Sequence, residues 1–409
     1  MSRNVPKLRF KGFEDEWENY KLGSFSEKIT EKNKGFKVKN VISNSAKNGL
    51  ISQRDFFEKD IANKNNIDGY YIIKNGDFVY NPRKSNEAPY GPINKYKFKD
   101  DGVVSPLYFC FRINNKVSNE YLEEYFKSSK WYRYVHMNSD QGARHDRVSI
   151  KDSEVMNMKI KLPSLQEQEK IANFLSKVDS IIEKQEKKVE YWNSYKKGMM
   201  QKIFSQKIRF KDKKGRNYPE WEKVHLNKFV ERVVRKNKDN VSKRPLTISA
   251  QYGLVDQEEF FNKLVASKNL EGYYLLKNGE FAYNKSYSTG YPFGAIKRLD
   301  KYENGAVSTL YICFKVKNNI NSDFIVQYFE SSKWHKEIAM IAVEGARNHG
   351  LLNVSVSDFF ETIHYIPCLE EQNKISKFLL NIDNILFKEN KKLEELVQWK
   401  KGLLQQMFI

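Results

Sequence analysis

The chain has 409 residues, with 71 Lys and Arg against 51 Asp and Glu, and so a formal net charge of +20. Hydrophobic residues at 40% and aromatics at 14% can bury real cores, which excludes disorder throughout, and the length implies two or three domains. No run of about 18 apolar residues is present to span a membrane, residues 1–10 lack the apolar stretch of a signal peptide, and Cys110, Cys313 and Cys368 cannot build a disulfide framework, so a reducing cytoplasm is expected.

The positive excess is spread along the chain. That suits a long folded footprint on nucleic acid, where neutralising phosphates releases counterions. A lysine-rich soluble surface would give the same count.

In chain order, Pro6-Lys7-Leu8-Arg9-Phe10 and Trp17 come first. Residues 70–73, 74–77 and 78–80 read as a strand, an Asn-Gly turn and a strand. The loop Asn81-Pro82-Arg83-Lys84-Ser85 follows. Residues 106–113 alternate and are rich in aromatics, hence another strand. Residues 119–131 have helical spacing, with Leu122, Tyr125 and Phe126 on one face. Gly142-Ala143-Arg144, with Arg147 behind it, is a small-residue turn presenting an arginine. It suits a phosphate or base contact, or a salt bridge holding the loop to the next helix.

Residues 162–204 read as a long helix opened by a Ser164-x-x-Glu167 capping box. Ile171, Val178, Trp192 and Met199 keep one heptad position, and Leu175, Ile182, Val189 and Ile203 the other. Polar residues interrupt both, at Gln185 and Lys196.

The chain then repeats itself at an offset of about 203 residues. Gly69-Tyr70-Tyr71 through Asn81 returns as Gly272-Tyr273-Tyr274 through Asn284. Val104-Ser105-Pro106-Leu107-Tyr108 returns as Val307-Ser308-Thr309-Leu310-Tyr311, Ser128-Ser129-Lys130-Trp131 as Ser331-Ser332-Lys333-Trp334, and Gly142-Ala143-Arg144 as Gly345-Ala346-Arg347. Arg147 becomes Gly350, and Trp17 becomes Trp221. The second long helix, 366–408, repeats the heptads with Glu389 and Lys400 at the polar positions, although Cys368 replaces the capping serine. The copies differ most over about 26–68 and 230–271, and after Tyr80 and Tyr283, where Asn284-Lys285-Ser286-Tyr287-Ser288 replaces the first loop.

A period this long is a duplicated domain, and like halves in one chain pack about a pseudo-two-fold axis. The expected fold is α+β: two pseudo-two-fold-related globular regions, 1–161 and 205–365, with helices beside a mainly antiparallel sheet. Two long antiparallel coiled-coil helices, 162–204 and 366–409, join them. A helix of some 40 residues is about 60 Å long and would act as a spacer.

The ordered set of motifs resembles the specificity subunit of type I restriction-modification enzymes across essentially the whole chain. The most diagnostic segments are Leu162-Pro163-Ser164-Leu165-Gln166-Glu167-Gln168 and Ile366-Pro367-Cys368-Leu369-Glu370-Glu371-Gln372, with Gly76-Asp77-Phe78 and Gly142-Ala143-Arg144. The resemblance implies two target recognition domains, each reading one half of a split double-stranded DNA sequence. It implies helices that set the gap and dock two methylation subunits, which carry S-adenosylmethionine. It also implies restriction subunits that carry ATP and Mg. This chain would bind no cofactor or metal, meet no membrane and catalyse nothing. The residues agree: there is no GxxxxGK[ST], His145 and His349 show no metal spacing, and Asn81-Pro82-Arg83-Lys84 lacks the second proline and aromatic of an amino-methyltransferase pocket.

The candidate DNA-binding residues are Asn81, Arg83, Lys84, Arg144 and Arg147 in the first copy, and Asn284, Lys285, Tyr287 and Arg347 in the second. Arginine matches guanine and asparagine matches adenine. Rival readings are a stand-alone DNA modification enzyme and a coiled-coil protein adaptor.

Overall fold

The computed structural model describes residues 4–53, 67–140, 145–261, 269–288, 290–342 and 352–409. The chain forms two compact units: Met1–Lys187 with Asn390–Ile409, and Lys188–Glu389.

The first unit holds strands β1 (Glu18–Lys21), β2 (Ser26–Lys28), β3 (Ile42–Ser45), β4 (Gly49–Ser52), β5 (Tyr71–Ile73), β6 (Phe78–Tyr80), β7 (Ile93–Lys95), β8 (Gly102–Val104), β9 (Phe109–Ile113) and β10 (Lys159–Leu162). Its short helices are α1 (Asn119–Lys127), α2 (Tyr132–Asn138) and α3 (Asp152–Met156), and the long helix α4 (Leu165–Phe204) follows. The ladders are antiparallel: a four-stranded sheet β2-β9-β6-β7 and the pairs β1–β10, β3–β4 and β5–β8. The region is thus several small sheets rather than one. Side chains alternate across the central strands, as the two-residue strand period requires. Phe78, Tyr80 and Phe111 face α1, α2 and the start of α4, while Val79 and Cys110 face a second small core with Ile42, Ile73 and Val104.

The second unit repeats this with β11 (Glu222–His225), α5 (Leu226–Phe229), β12 (Val230–Arg232), β13 (Leu246–Ser249), β14 (Gly253–Asp256), α6 (Gln257–Phe261), β15 (Tyr274–Lys277), β16 (Phe281–Asn284), β17 (Ala295–Arg298), β18 (Asn304–Val307), β19 (Ile312–Val316), α7 (Ser322–Glu330), α8 (His335–Ile341), α9 (Val356–Glu361) and β20 (Ile363–Ile366), before α10 (Leu369–Met407). Its sheet β12-β19-β16-β17 and its three pairs match the first unit's. Even the paired aromatics agree: Phe78 stacks on Phe111, and Phe281 on Phe314, both at 5.2 Å.

Two expectations change. The strands on either side of the Asn-Gly turn form, but β5 pairs with β8 and β6 with β7 and β9, so they are not a hairpin. Asp77 explains this. Its buried carboxylate accepts the Lys74 amide (2.6 Å) and the Arg112 fork (2.6 and 2.8 Å), so the turn hands the chain from one sheet to another. The helix read over 119–131 stops at Lys127, where the Ser128 hydroxyl bonds the Tyr125 carbonyl.

The capping box at Ser164 forms only in half. The Glu167 amide meets Ser164 Oγ at 3.4 Å, but the Glu167 carboxylate is taken by Arg9 at 2.8 Å. Glu371 takes Arg209 in the same way. The neighbouring glutamines clip the helix start. Gln168 donates to the Pro163 carbonyl and accepts the Ser118 amide, and Gln372 does likewise with Pro367 and Asn321. The Glu-Gln pair is therefore a latch between each unit's leading arm, the start of α1 or α7, and the long helix.

Within each unit the two long helices oppose one another. In the first, Ile171, Leu175 and Val178 share a core with Leu403, Leu404 and Met407. In the second, Met200, Ile203 and Phe204 share one with Ile375, Leu379 and Ile382. The order of contacts is antiparallel in both, and every heptad seam position is buried or half-buried. The seam lysines pair reciprocally, Lys196 with Asp383 and Lys400 with Asp179. Among the described residues no helix is long and apolar enough to cross a membrane.

Candidate nucleic-acid interface

In the first unit β6 ends at Tyr80 and the chain turns outward. Asn81 Oδ1 accepts the Arg83 amide (3.1 Å), and its Nδ2 donates to the Asn44 carbonyl (2.9 Å), an Asx turn tied to the β3–β4 hairpin. Gly91, at φ 79, lies against this turn, and a Cβ there would stand 2.1 Å from the Asn81 carbonyl oxygen. Only glycine fits both the left-handed backbone and the close approach.

Arg83 then faces Arg147 across an antiparallel bridge. The bridge is fixed by the Lys84 amide on the Asp146 carbonyl (2.9 Å) and the Val148 amide on the Pro82 carbonyl (2.8 Å). Like charges set directly opposite one another repel. Asp146 stands 4.0 Å from Arg147 and is well exposed, and Arg83 has no ion pair among the described residues. Burial pushes the Tyr108 hydroxyl above its ordinary value, against the pull of a hydrogen bond to the Asn44 backbone and of the charges of Arg147 and Arg83. The structure thus brings Asn81, Arg83, Lys84 and Arg147 together. Arg144 and Arg347 lie outside the described residues.

The second unit keeps the turn and changes the chemistry. Asn284 Oδ1 accepts the Ser286 amide (3.0 Å), and a Cβ on Gly294 would again lie 2.1 Å from the Asn284 carbonyl oxygen. Lys285 turns back, its amine on the Val354 carbonyl at 3.1 Å. Tyr287 stands 61% exposed. Beside it a pocket of about 370 Å³ opens between this loop and the β13–β14 hairpin, lined by Gln251, Tyr252, Phe260, Asn284 and Ser286 among others. Gln251, Tyr252 and Phe260 were not among the residues expected at the site. Their signal was the divergence of the copies over 230–271, read as a region and not residue by residue.

Comparison with known proteins follows this geometry. Residues 14–191 match the family described as the type I restriction modification DNA specificity domain. The MjaVIII type I restriction enzyme specificity subunit of Methanocaldococcus jannaschii is 28% identical over 275 residues, 61% of this chain and 60% of the relative. The chain therefore spans less than two thirds of that relative's length. Two solved structures share the fold. One comes from work on complex assembly and conformational transition of the type I R-M system (TM-score 0.56, 12% identity, 98% of this chain and 99% of the other). The other is the type I restriction-modification S subunit from M. genitalium (TM-score 0.53, 14% identity, 99% of both chains). The chain is thus similar to type I restriction-modification specificity subunits, over residues 14–191 by the family match and over 61% of its length by the relative.

Proposed function

We propose that this chain is the DNA specificity subunit of a type I restriction-modification complex, each unit reading one half of a split double-stranded target. The observation that carries this reading is the Arg83–Arg147 bridge. Arg83 and Arg147 are set opposite one another by the backbone bridge, Arg83 has no ion pair among the described residues and Arg147 has only the exposed Asp146 at 4.0 Å, and a polyanion is what such a pair lacks. The long helices set the gap and dock two methylation subunits, which bring S-adenosylmethionine. Restriction subunits bring ATP and Mg, and the complex works in the cytoplasm. This chain contributes recognition and no catalysis.

The test is base-modification sequencing of a host genome with and without the gene, with the partner genes intact. The expected result is loss of methylation at one split motif, two short unlike half-sites with a fixed gap. An unchanged methylome, with partners shown to be expressed, would overturn the reading.

A further inference from the structure

We propose that the two units read half-sites of opposite base character: the first reads guanine through Arg83 and Arg147, and the second reads an adenine–thymine step at the pocket beside Tyr287. This rests on the reading that each unit contacts one half of a split DNA target.

The matched positions carry the argument. The β3–β4 turn is Ala46-Lys47-Asn48, and its counterpart in β13–β14 is Ala250-Gln251-Tyr252. The adjoining loops are Pro82-Arg83-Lys84-Ser85 and Lys285-Ser286-Tyr287-Ser288. The first unit thus gathers cations, Lys47, Arg83, Lys84 and Arg147. In a chain where 30% of residues are charged, the second unit's pocket is lined, among the described residues, by no charged side chain. Lys285, the one cation in that loop, spends its amine on Val354.

The pocket still offers polar atoms. The Gln251 amide, Asn284 Nδ2 and the Tyr287 hydroxyl have no hydrogen-bond partner among the described residues. Around them stand exposed rings, Tyr252 (60%), Phe260 (43%) and Tyr287 (61%). The described lining offers no Lys or Arg, the residues that supply most phosphate affinity. It has what an A·T edge needs. An Asn or Gln amide matches adenine N6 and N7, and an apolar surface receives the thymine methyl. The first unit has the converse, since the arginine fork matches guanine O6 and N7.

The assembled complex would be used to select duplexes from a randomised split-site library, and the winners then rebuilt with base analogues. In one half-site, 7-deazaguanine, which lacks N7, should weaken binding about tenfold, and Arg83→Ala should abolish that sensitivity. In the other, uracil for thymine, which removes only the methyl, should weaken binding about fivefold, and Tyr287→Ala should abolish that. Arg83 and Tyr287 are both exposed, so the variants fold. A guanine N7 requirement that maps to Tyr287→Ala or Gln251→Ala, or a split motif indifferent to both analogues, overturns the inference alone. Selection of no split motif overturns the reading beneath it.

Discussion

Asp77 and Glu280 occupy the same turn in the two units, and each is neutralised by an arginine from a different place. Asp77 takes Arg112 from β9, whereas Glu280 takes Arg235 from the segment after β12, at 3.0 and 3.1 Å. At the position of Arg112 the second unit has Lys315, which turns instead to Glu231. Both acids also hold the amide three residues earlier, Lys74 and Lys277. The turn requires a buried carboxylate, and a buried carboxylate requires a cation. Which strand supplies the cation is free to change. The scaffold is held by physical requirements, and residue identity varies wherever a requirement can be met twice.

The largest effect should come from breaking the latch on the side where it carries more. Glu371 holds Arg209 and also accepts the Trp221 indole N–H at 3.1 Å. Glu167 holds Arg9 alone, and the Trp17 indole nitrogen has no partner among the described residues. Both carboxylates are buried, so Glu371→Ala should cost about 3–5 kcal/mol, since it strips the Trp221 indole of its acceptor and leaves Arg209 only the exposed Glu220 as an ion-pair partner. Glu167→Ala should cost about 1 kcal/mol less, because no indole is orphaned. Urea midpoints of the two variants decide it; equal losses would mean that the indole bond contributes nothing.

Next in size is the functional comparison. Arg83→Ala should lose about 1–3 kcal/mol of discrimination at one half-site and none at the other. Because Arg83 and Arg147 repel, the same change should leave the fold unharmed or slightly more stable. Binding of the assembled complex to duplexes altered in one half at a time separates these outcomes. Loss of affinity spread evenly over both halves would reduce Arg83 to a phosphate contact.

These pairs also mark what could be read in the sequence. The repeat, the heptad seams and the Glu-Gln helix starts were legible because each depends on spacing. The loops at Asn81 and Asn284 were legible as a place, because an Asn at the end of an apolar strand starts a turn. That Arg83 would face Arg147, 64 residues away, was not legible, because the bridge is set by backbone pairing across a loop. The release of Lys285 to Val354 was hidden for the same reason. The Asn-Gly signal misled, because a local turn signature cannot tell whether its flanking strands will find each other or better partners elsewhere.

Acid should separate the units. His364 on β20 is buried between the Tyr328 hydroxyl (2.8 Å) and Thr362 Oγ1 (2.9 Å), and Ile160 holds the matching position on β10. Burial pushes the His364 imidazole down from 6.5 to about 3. The folded state thus refuses a proton that the unfolded chain accepts below pH 6.5. The stability is fully present above that pH and is lost as pH falls toward 3, by about 1.4 kcal/mol per unit. Denaturation between pH 7 and 4 should show this slope, and His364→Ile should flatten it, although it lowers stability at pH 7 by orphaning the Tyr328 hydroxyl, while Thr362 keeps the Phe359 carbonyl. An unchanged slope would place the acid sensitivity elsewhere.

The smallest difference lies in the helix seam. Lys400 meets both Asp179 and Glu124, the latter at 3.1 Å and nearly buried, with Lys127 completing the cluster. Among the described residues Lys196 meets Asp383 alone, and Gln327, in the place of Glu124, donates to the same carboxylate at 2.7 Å. Removing Lys400 leaves two carboxylates sharing one amine, whereas removing Lys196 leaves one partly exposed carboxylate with a neutral donor. Lys400→Met should therefore cost about 1 kcal/mol more than Lys196→Met, the figure being modest because Asp179 and Asp383 reach solvent. Glu124→Gln added to Lys400→Met recreates the charge count of the second unit and should recover most of that difference, a coupling that thermal melts of the four variants would measure. If the double variant melts no higher than Lys400→Met, the lysine acts through the packing of its stem rather than through its charge.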